Sequence, residues 1–228
     1  MFTGIVTQTG EVRSRSSSAI SVEMDTTLIR EGDSVAVNGV CLTARHGGLS
    51  ASSVKRGRAV FDVSPKTFQL TNLSSAKTVN IELPLKASDY LSGHFVTGHV
   101  DGMVKLVRIE DGGNFKKLYF AFEKKFAPFI ALRGSVALDG ISLTVEGMEN
   151  GVFSVNVIPE TVKRTNLSKR KAGDAVNFEA DVLARYVVNS MNKAGDGITK
   201  ETIHKDKNNR SETLSPGLLT KEKLEKWL

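Results

Sequence analysis

Residues 34–43 read SVAVNGVCLT, two short apolar-rich runs on either side of Asn38-Gly39. Alternating runs that flank Asn-Gly predict a β-hairpin, because a two-residue turn needs positive φ at both central positions. Residues 135–144 repeat the pattern as SVALDGISLT, with Asp139-Gly140 at the turn. AVFDVS at 59–64 and GVFSVNVI at 151–158 alternate apolar and polar positions, as half-buried strands do. LYFAFE at 118–123 is a further, aromatic-rich strand candidate. SPKTF and IPETV each set a proline after a strand, where it favours the first position of a short helix. After residue 180 the period changes. Val182, Leu183, Tyr186, Val187, Ser190 and Met191 fall at helical spacing, and Gly195 is a stop signal. That apolar stripe needs a partner, either this chain or another copy.

The matches are collinear. After the hairpins, SPKTFQLTNLS at 64–74 pairs with IPETVKRTNLS at 158–168, and VNIE at 79–82 with VNFE at 176–179. FTGIV at 2–6 echoes VTGHV at 96–100. Two copies of a long unit exclude a solenoid and predict two sibling domains. Short strands punctuated by Gly, Asn, Asp and Pro predict a small antiparallel barrel in each. The expected division is 1–88, then 89–186, then a helix that begins near 182 and ends over 187–195. Residues 196–228 are polar and predict a mobile tail, with TKEKLEKWL at 220–228 as a short terminal helix. HGGLSASSVKRGR at 46–58 predicts an exposed loop present in the first copy alone.

Composition adds exclusions. One cysteine, Cys41, allows no internal disulfide and fits a reducing compartment, so a cytoplasmic protein is expected. No apolar run is long enough to span a membrane as a helix. The net charge of +6 raises the question of nucleic acid. The basic residues are scattered, however, and the cluster Tyr119, Phe120 and Phe122 has no arginine interleaved, so a single-strand-binding groove is not expected. His94 and His99 lack the further ligands a metal site needs.

Taken in order, MFTGIV, VNGVCLT, FDVSPKTFQLTNL, GHFVTGHVDG, LDGISLTV, IPETVKRTNL and VNFEAD before a helix resemble the riboflavin synthases of the alpha-chain type, over roughly residues 1–190. The resemblance implies a mainly β chain of two tandem six-stranded Greek-key barrels and a C-terminal helix. It implies a homotrimer joined by those helices, association with lumazine synthase, and an active site between barrels of neighbouring subunits. The implied reaction, a transferase step, is the dismutation of two 6,7-dimethyl-8-ribityllumazine molecules. One gives a four-carbon unit to the other, leaving riboflavin and 5-amino-6-ribitylaminouracil. No metal or redox cofactor is required. The acidic 7-methyl group supplies a carbanion, so the protein has to orient the rings, move protons and add a nucleophile at C7 of one of them. The lumazine proteins, which hold one lumazine or flavin as an optical antenna, are the alternative.

Matching the motifs assigns the residues. The first-barrel set is Gly4, Ile5 and Val6, then Cys41, Leu42 and Thr43, then Asp62, Val63, Ser64, Pro65, Lys66 and Thr67. The second-barrel set is Gly98, His99 and Val100, then Ser142, Leu143 and Thr144, then Val157, Ile158, Pro159, Glu160, Thr161 and Val162. Arg133 joins the second set at a position that is Lys in some relatives. Cys41 and Thr43 share one strand face. Cys41, His99, Ser142, Asp181 and Phe2 are the catalytic candidates, with His99 preferred over His94 as proton carrier because it pairs with Ile5. The pairs Cys41/Ser142, Ile5/His99 and Pro84/Asp181 predict that the barrels are chemically unequal.

Overall fold

The computed structural model describes residues 1–45, 49 and 57–200, with 193–200 as backbone alone. Most of the expected loop at 46–58 and the expected terminal helix at 220–228 lie outside the described residues. Residues Met1–Ser190 form one compact unit.

Each repeat folds into six antiparallel strands. The first contains β1 (Gln8–Arg15), β2 (Ala19–Met24), β3 (Ser34–Val37), β4 (Val40–Thr43), β5 (Gly57–Asp62) and β6 (Thr78–Glu82), in the order β4-β3-β6-β1-β2-β5. A bridge between Ala44 and Phe61 nearly closes it. The second contains β7 (Gly102–Asp111), β8 (Lys116–Ala121), β9 (Ser135–Leu138), β10 (Ile141–Glu149), β11 (Val152–Val157) and β12 (Ala175–Ala180). Its order, β10-β11-β8-β7-β12-β9, closes into a barrel of the same connectivity. In both, the last strand inserts between the first and third, a Greek-key return.

Local sequence explains the elements. Asn38 and Gly39 take φ of 48° and 76°, and Asp139 and Gly140 take 47° and 77°, as the hairpin turns require. Pro65 and Pro159 open α1 (Pro65–Leu70) and α2 (Pro159–Arg164), and the Ser64 hydroxyl caps α1 by accepting from the Thr67 N–H at 3.1 Å. The last helix, α3 (Val182–Lys200), runs through Gly195 instead of stopping there. One glycine inside a helix costs only about 1 kcal/mol relative to alanine, which does not by itself end it.

Alternation turns one set of side chains into each barrel. In the second, Phe153 stacks on Phe120 with ring centres 5.5 Å apart and packs beside Phe178 at 6.3 Å. Burying each such ring contributes about 1.5–3 kcal/mol. The two cores also exchange residues. Val6, from the chain start, is buried in the second barrel's core, whereas Val100, from the segment before β7, packs against the first.

The repeats meet about a pseudo-twofold axis. The hairpin tips abut so closely that a Cβ on Gly39 would lie 2.6 Å from the Gly140 nitrogen, and one on Gly140 would lie 2.7 Å from that of Gly39. Beneath the tips lies a buried polar network of Asn38, Asn72, Asn80, Asp139, Asn166 and Asn177. Asn72 donates to Asp139 (2.7 Å), Asn80 to Asn166 (3.1 Å), and Asn166 to Asn38 (3.0 Å) and Asp139 (2.9 Å). Arg170 pairs with the wholly buried Asp139 carboxylate. Satisfied networks of this kind fix one arrangement, since an unpaired buried polar group is costly.

Candidate functional site

Each repeat begins with a Thr-Gly turn held by a buried glutamate. The Glu82 carboxylate accepts the Thr3 N–H (2.7 Å), the Thr3 hydroxyl (2.9 Å) and the Gly4 N–H (3.0 Å). Glu179 accepts the same three donors from Thr97 (2.7 and 2.7 Å) and Gly98 (3.0 Å). Burial pushes both carboxyls above the usual range, and these donors offset part of that.

The turns are aimed across the axis. The Ser142 N–H donates to the Gly4 carbonyl at 2.8 Å, and the Cys41 N–H to the Gly98 carbonyl at 3.0 Å. A Cβ on Gly4 would lie 2.6 Å from the Ser142 Cβ, and one on Gly98 would lie 2.5 Å from the Cys41 Cβ. This corrects the grouping read from the sequence. Gly4, Ile5 and Val6 belong with Ser142 and the second barrel, and Gly98, His99 and Val100 with Cys41 and the first. Alignment matches each turn to its counterpart, but contact is decided by which strand edge the glycine can approach.

The first cleft therefore joins β4 and the β5–α1 corner to the Gly98 turn. Cys41 is half-buried and Thr43 exposed on one face, while Leu42 and Val63 are spent in the core. Asp62 is exposed and pairs with Arg45. Ser64, Pro65 and Lys66 are exposed and Thr67 is half-buried, with the Ser64 and Thr67 hydroxyls 2.9 Å apart.

The second cleft joins β10 and the β11–α2 corner to the Gly4 turn. Ser142 is half-buried and Thr144 exposed, while Leu143 and Val157 face the core. Ile5 and Ile158 are exposed apolar side chains there, at 46% and 60%. Pro159 and Glu160 are exposed and Thr161 and Val162 half-buried, and Glu160 pairs with Arg164. Arg133 holds φ of 63° where the first repeat has Gly32 at 86°. Its N–H donates to the Val145 carbonyl at 2.8 Å, as that of Gly32 does to Ala44 at 2.9 Å. A left-handed non-glycine residue costs about 1–2 kcal/mol, so an exposed guanidinium is placed here against backbone preference.

The catalytic candidates separate. His94, not His99, meets Ser142. Its ring Nδ1 lies 2.7 Å from the Ser142 Oγ, and its backbone N–H donates to the Thr3 carbonyl at 3.1 Å. Burial lowers the imidazole below its ordinary basicity, and the Asp181 charge restores part of it. Asp181 also caps α3, accepting the Leu183 N–H at 2.9 Å. His99 is exposed, and its carbonyl accepts from Arg185 at 3.0 Å. Phe2 is wholly buried with Ala36, Val96 and Ala137, against Cys41. It pairs with Val96 across the axis and so supports both turns from behind. Nothing in the sequence spacing marks His94, whose role is defined by its contact with Ser142 48 residues away.

A recess of about 630 Å³ beside Arg108, Tyr119 and Met148 contains none of the motif residues, whereas one of about 230 Å³ is lined by Val157, Pro159 and Val162 of the second-barrel set.

The lumazine binding domain family matches the chain twice, over residues 3–84 and 97–181. The riboflavin synthase of Bacillus subtilis is 33% identical over 214 residues, covering 90% of this chain and 96% of that protein. The riboflavin synthase of Brucella abortus is 39% identical over 197 residues, covering 82% and 96%. The fold is shared with LumP, whose crystal structure in complex with riboflavin superposes with a TM-score of 0.69 at 20% identity, over 79% of this chain and 99% of that one. Two lumazine-binding repeats in one chain, and curated relatives of this identity over nearly their whole length, place it: the chain belongs to the riboflavin synthase family.

Proposed function

We propose that this chain converts two molecules of 6,7-dimethyl-8-ribityllumazine into riboflavin and 5-amino-6-ribitylaminouracil. The carrying observation is the reciprocal seating of Gly4 on Ser142 and Gly98 on Cys41. It builds two related clefts, one for each copy of a substrate that is used twice. The products together contain every atom of the two substrates, so the exchange needs no oxidant and no added group. Holding two rings in register contributes on the order of 7–11 kcal/mol through effective molarity.

Cys41 and Ser142 are half-buried and Thr43 and Thr144 exposed on the single chain, which supports completion of both clefts by a neighbouring subunit. On α3, Leu183, Tyr186, Val187 and Met191 expose 58–69% of their surface along one stripe. Helices packed through that stripe would make a homotrimer and set a first-barrel cleft against a second-barrel cleft. The same resemblance supports a cytosolic enzyme that associates with lumazine synthase.

Incubation with the lumazine alone is the test. The appearance of the flavin absorption band supports the proposal. Persistent lumazine fluorescence with no flavin formed would overturn it in favour of an antenna protein.

A further inference from the structure

The Gly98 turn that walls the first cleft is held at both ends. At its start, Glu179 accepts from Thr97 and Gly98. At its end stands an arginine from α3. The Arg185 Nη2 donates to the His99 carbonyl at 3.0 Å and to the Asp101 carboxylate at 2.8 Å. The same Asp101 oxygen accepts the Ala180 N–H at 2.8 Å, so the turn, β12 and α3 meet on one carboxylate. Burial pushes the Asp101 carboxyl above the usual range, and the Ala180 N–H and the Arg185 charge offset part of that. The Gly4 turn lacks this second clasp. Glu82 holds its start, but the position matching Asp101 is Thr7, whose hydroxyl donates to the Ile81 carbonyl at 3.0 Å. The element after β6 is β7, so no helix follows the first repeat to supply a cation.

Arg185 sits at the end of the first turn of α3, where its N–H donates to the Asp181 carbonyl at 3.2 Å. With about 3.6 residues per turn, it falls on the face opposite the exposed stripe of Leu183, Tyr186, Val187 and Met191. The helix turns its cation to the barrels and its apolar stripe outward. We infer that Arg185 is a positioning residue for the first cleft: it clasps the Gly98 turn to α3, so that the seat of the helix sets the wall against which the first-cleft ring binds. The inference rests on the proposed function, which gives that cleft one of the two rings. Any shift of the helix is carried by Nη2 to the His99 carbonyl, one residue from the Gly98 carbonyl that receives the Cys41 N–H. Packing on the outward stripe thereby reaches the cleft without touching the ring.

The test reads the first cleft at its own thiol. Protection of Cys41 from a thiol reagent is titrated with riboflavin in the intact protein, Arg185→Met, Arg185→Lys and Asp101→Asn. Lumazine turnover is measured alongside. Met keeps a long stem without a donor, whereas Lys can place one ammonium where a single Nη2 makes both bonds. Arg185→Met is expected to need about tenfold more riboflavin for half-protection, and to raise KM about tenfold while lowering kcat by less. Arg185→Lys is expected to recover most of both losses. Asp101→Asn removes the charge partner and reports even if Arg185→Met folds poorly; it too is expected to weaken protection. Unchanged protection in either folded variant overturns the inference and leaves the proposed function standing. So does a fall in kcat with KM and protection intact, or an Arg185→Lys variant no better than Arg185→Met. An intact protein that forms no riboflavin overturns the proposed function and this inference with it.

Discussion

The two barrels hold their Thr-Gly turns identically, glutamate to three donors, with lengths that agree within 0.2 Å. They part company where chemistry or charge is placed. Cys41 faces Ser142 with His94, Gly32 faces Arg133, and Asn38 with Ala76 faces Asp139 with Arg170. The difference teaches that duplication supplied a symmetric frame, and that departures from it mark unequal tasks. The frame is the crossing of the turns, which makes each cleft a joint product of both repeats.

The largest effect is expected at the axis. Arg170→Ala would strand the buried Asp139 carboxylate and cost about 3–5 kcal/mol, measured by urea unfolding. The double variant Asp139→Asn, Arg170→Ala gives the second half the residues of the first and should recover most of that loss. A double variant no better than the single one would break the comparison at this pair. Next come the turns. Glu82→Gln and Glu179→Gln each turn an amide NH₂ toward a backbone N–H, and each should cost about 1–3 kcal/mol. Near-equal losses sharpen the symmetry, and a large inequality contradicts it. The smallest effect is the pH dependence of His94. Its folded-state value lies below the ordinary 6.5, chiefly through burial. The unfolded chain therefore binds more protons in that interval, and stability rises with pH. The contribution is complete above 6.5 and is lost as pH falls through the lowered folded value. His94→Gln should flatten this part of the stability profile, and an unchanged slope would place the titration elsewhere.

Much of the frame was legible in the sequence. Asn38-Gly39 and Asp139-Gly140 dictate their hairpins by backbone preference alone, and Pro65 and Pro159 dictate helix starts. The crossing was not legible. Alignment says that Gly4 and Gly98 are equivalent, but not which strand each touches, and equivalence invites the wrong grouping. The axis network was also hidden, because Asn72, Asn80, Asn166 and Asn177 are scattered and read individually as turn or strand residues. His94 was passed over for a related reason. His99 aligns with a matched position, whereas His94 is defined by its contact with Ser142 across the chain.

Cys41 is the only cysteine and lies in the first cleft, so its alkylation rate reports occupancy there. The decisive measurement is how well riboflavin protects Cys41 from a thiol reagent in the intact protein, in Gly98→Ala and in Gly4→Ala. The crossed account predicts protection in the intact protein, its loss in Gly98→Ala and its retention in Gly4→Ala. Loss in Gly4→Ala with retention in Gly98→Ala would contradict it.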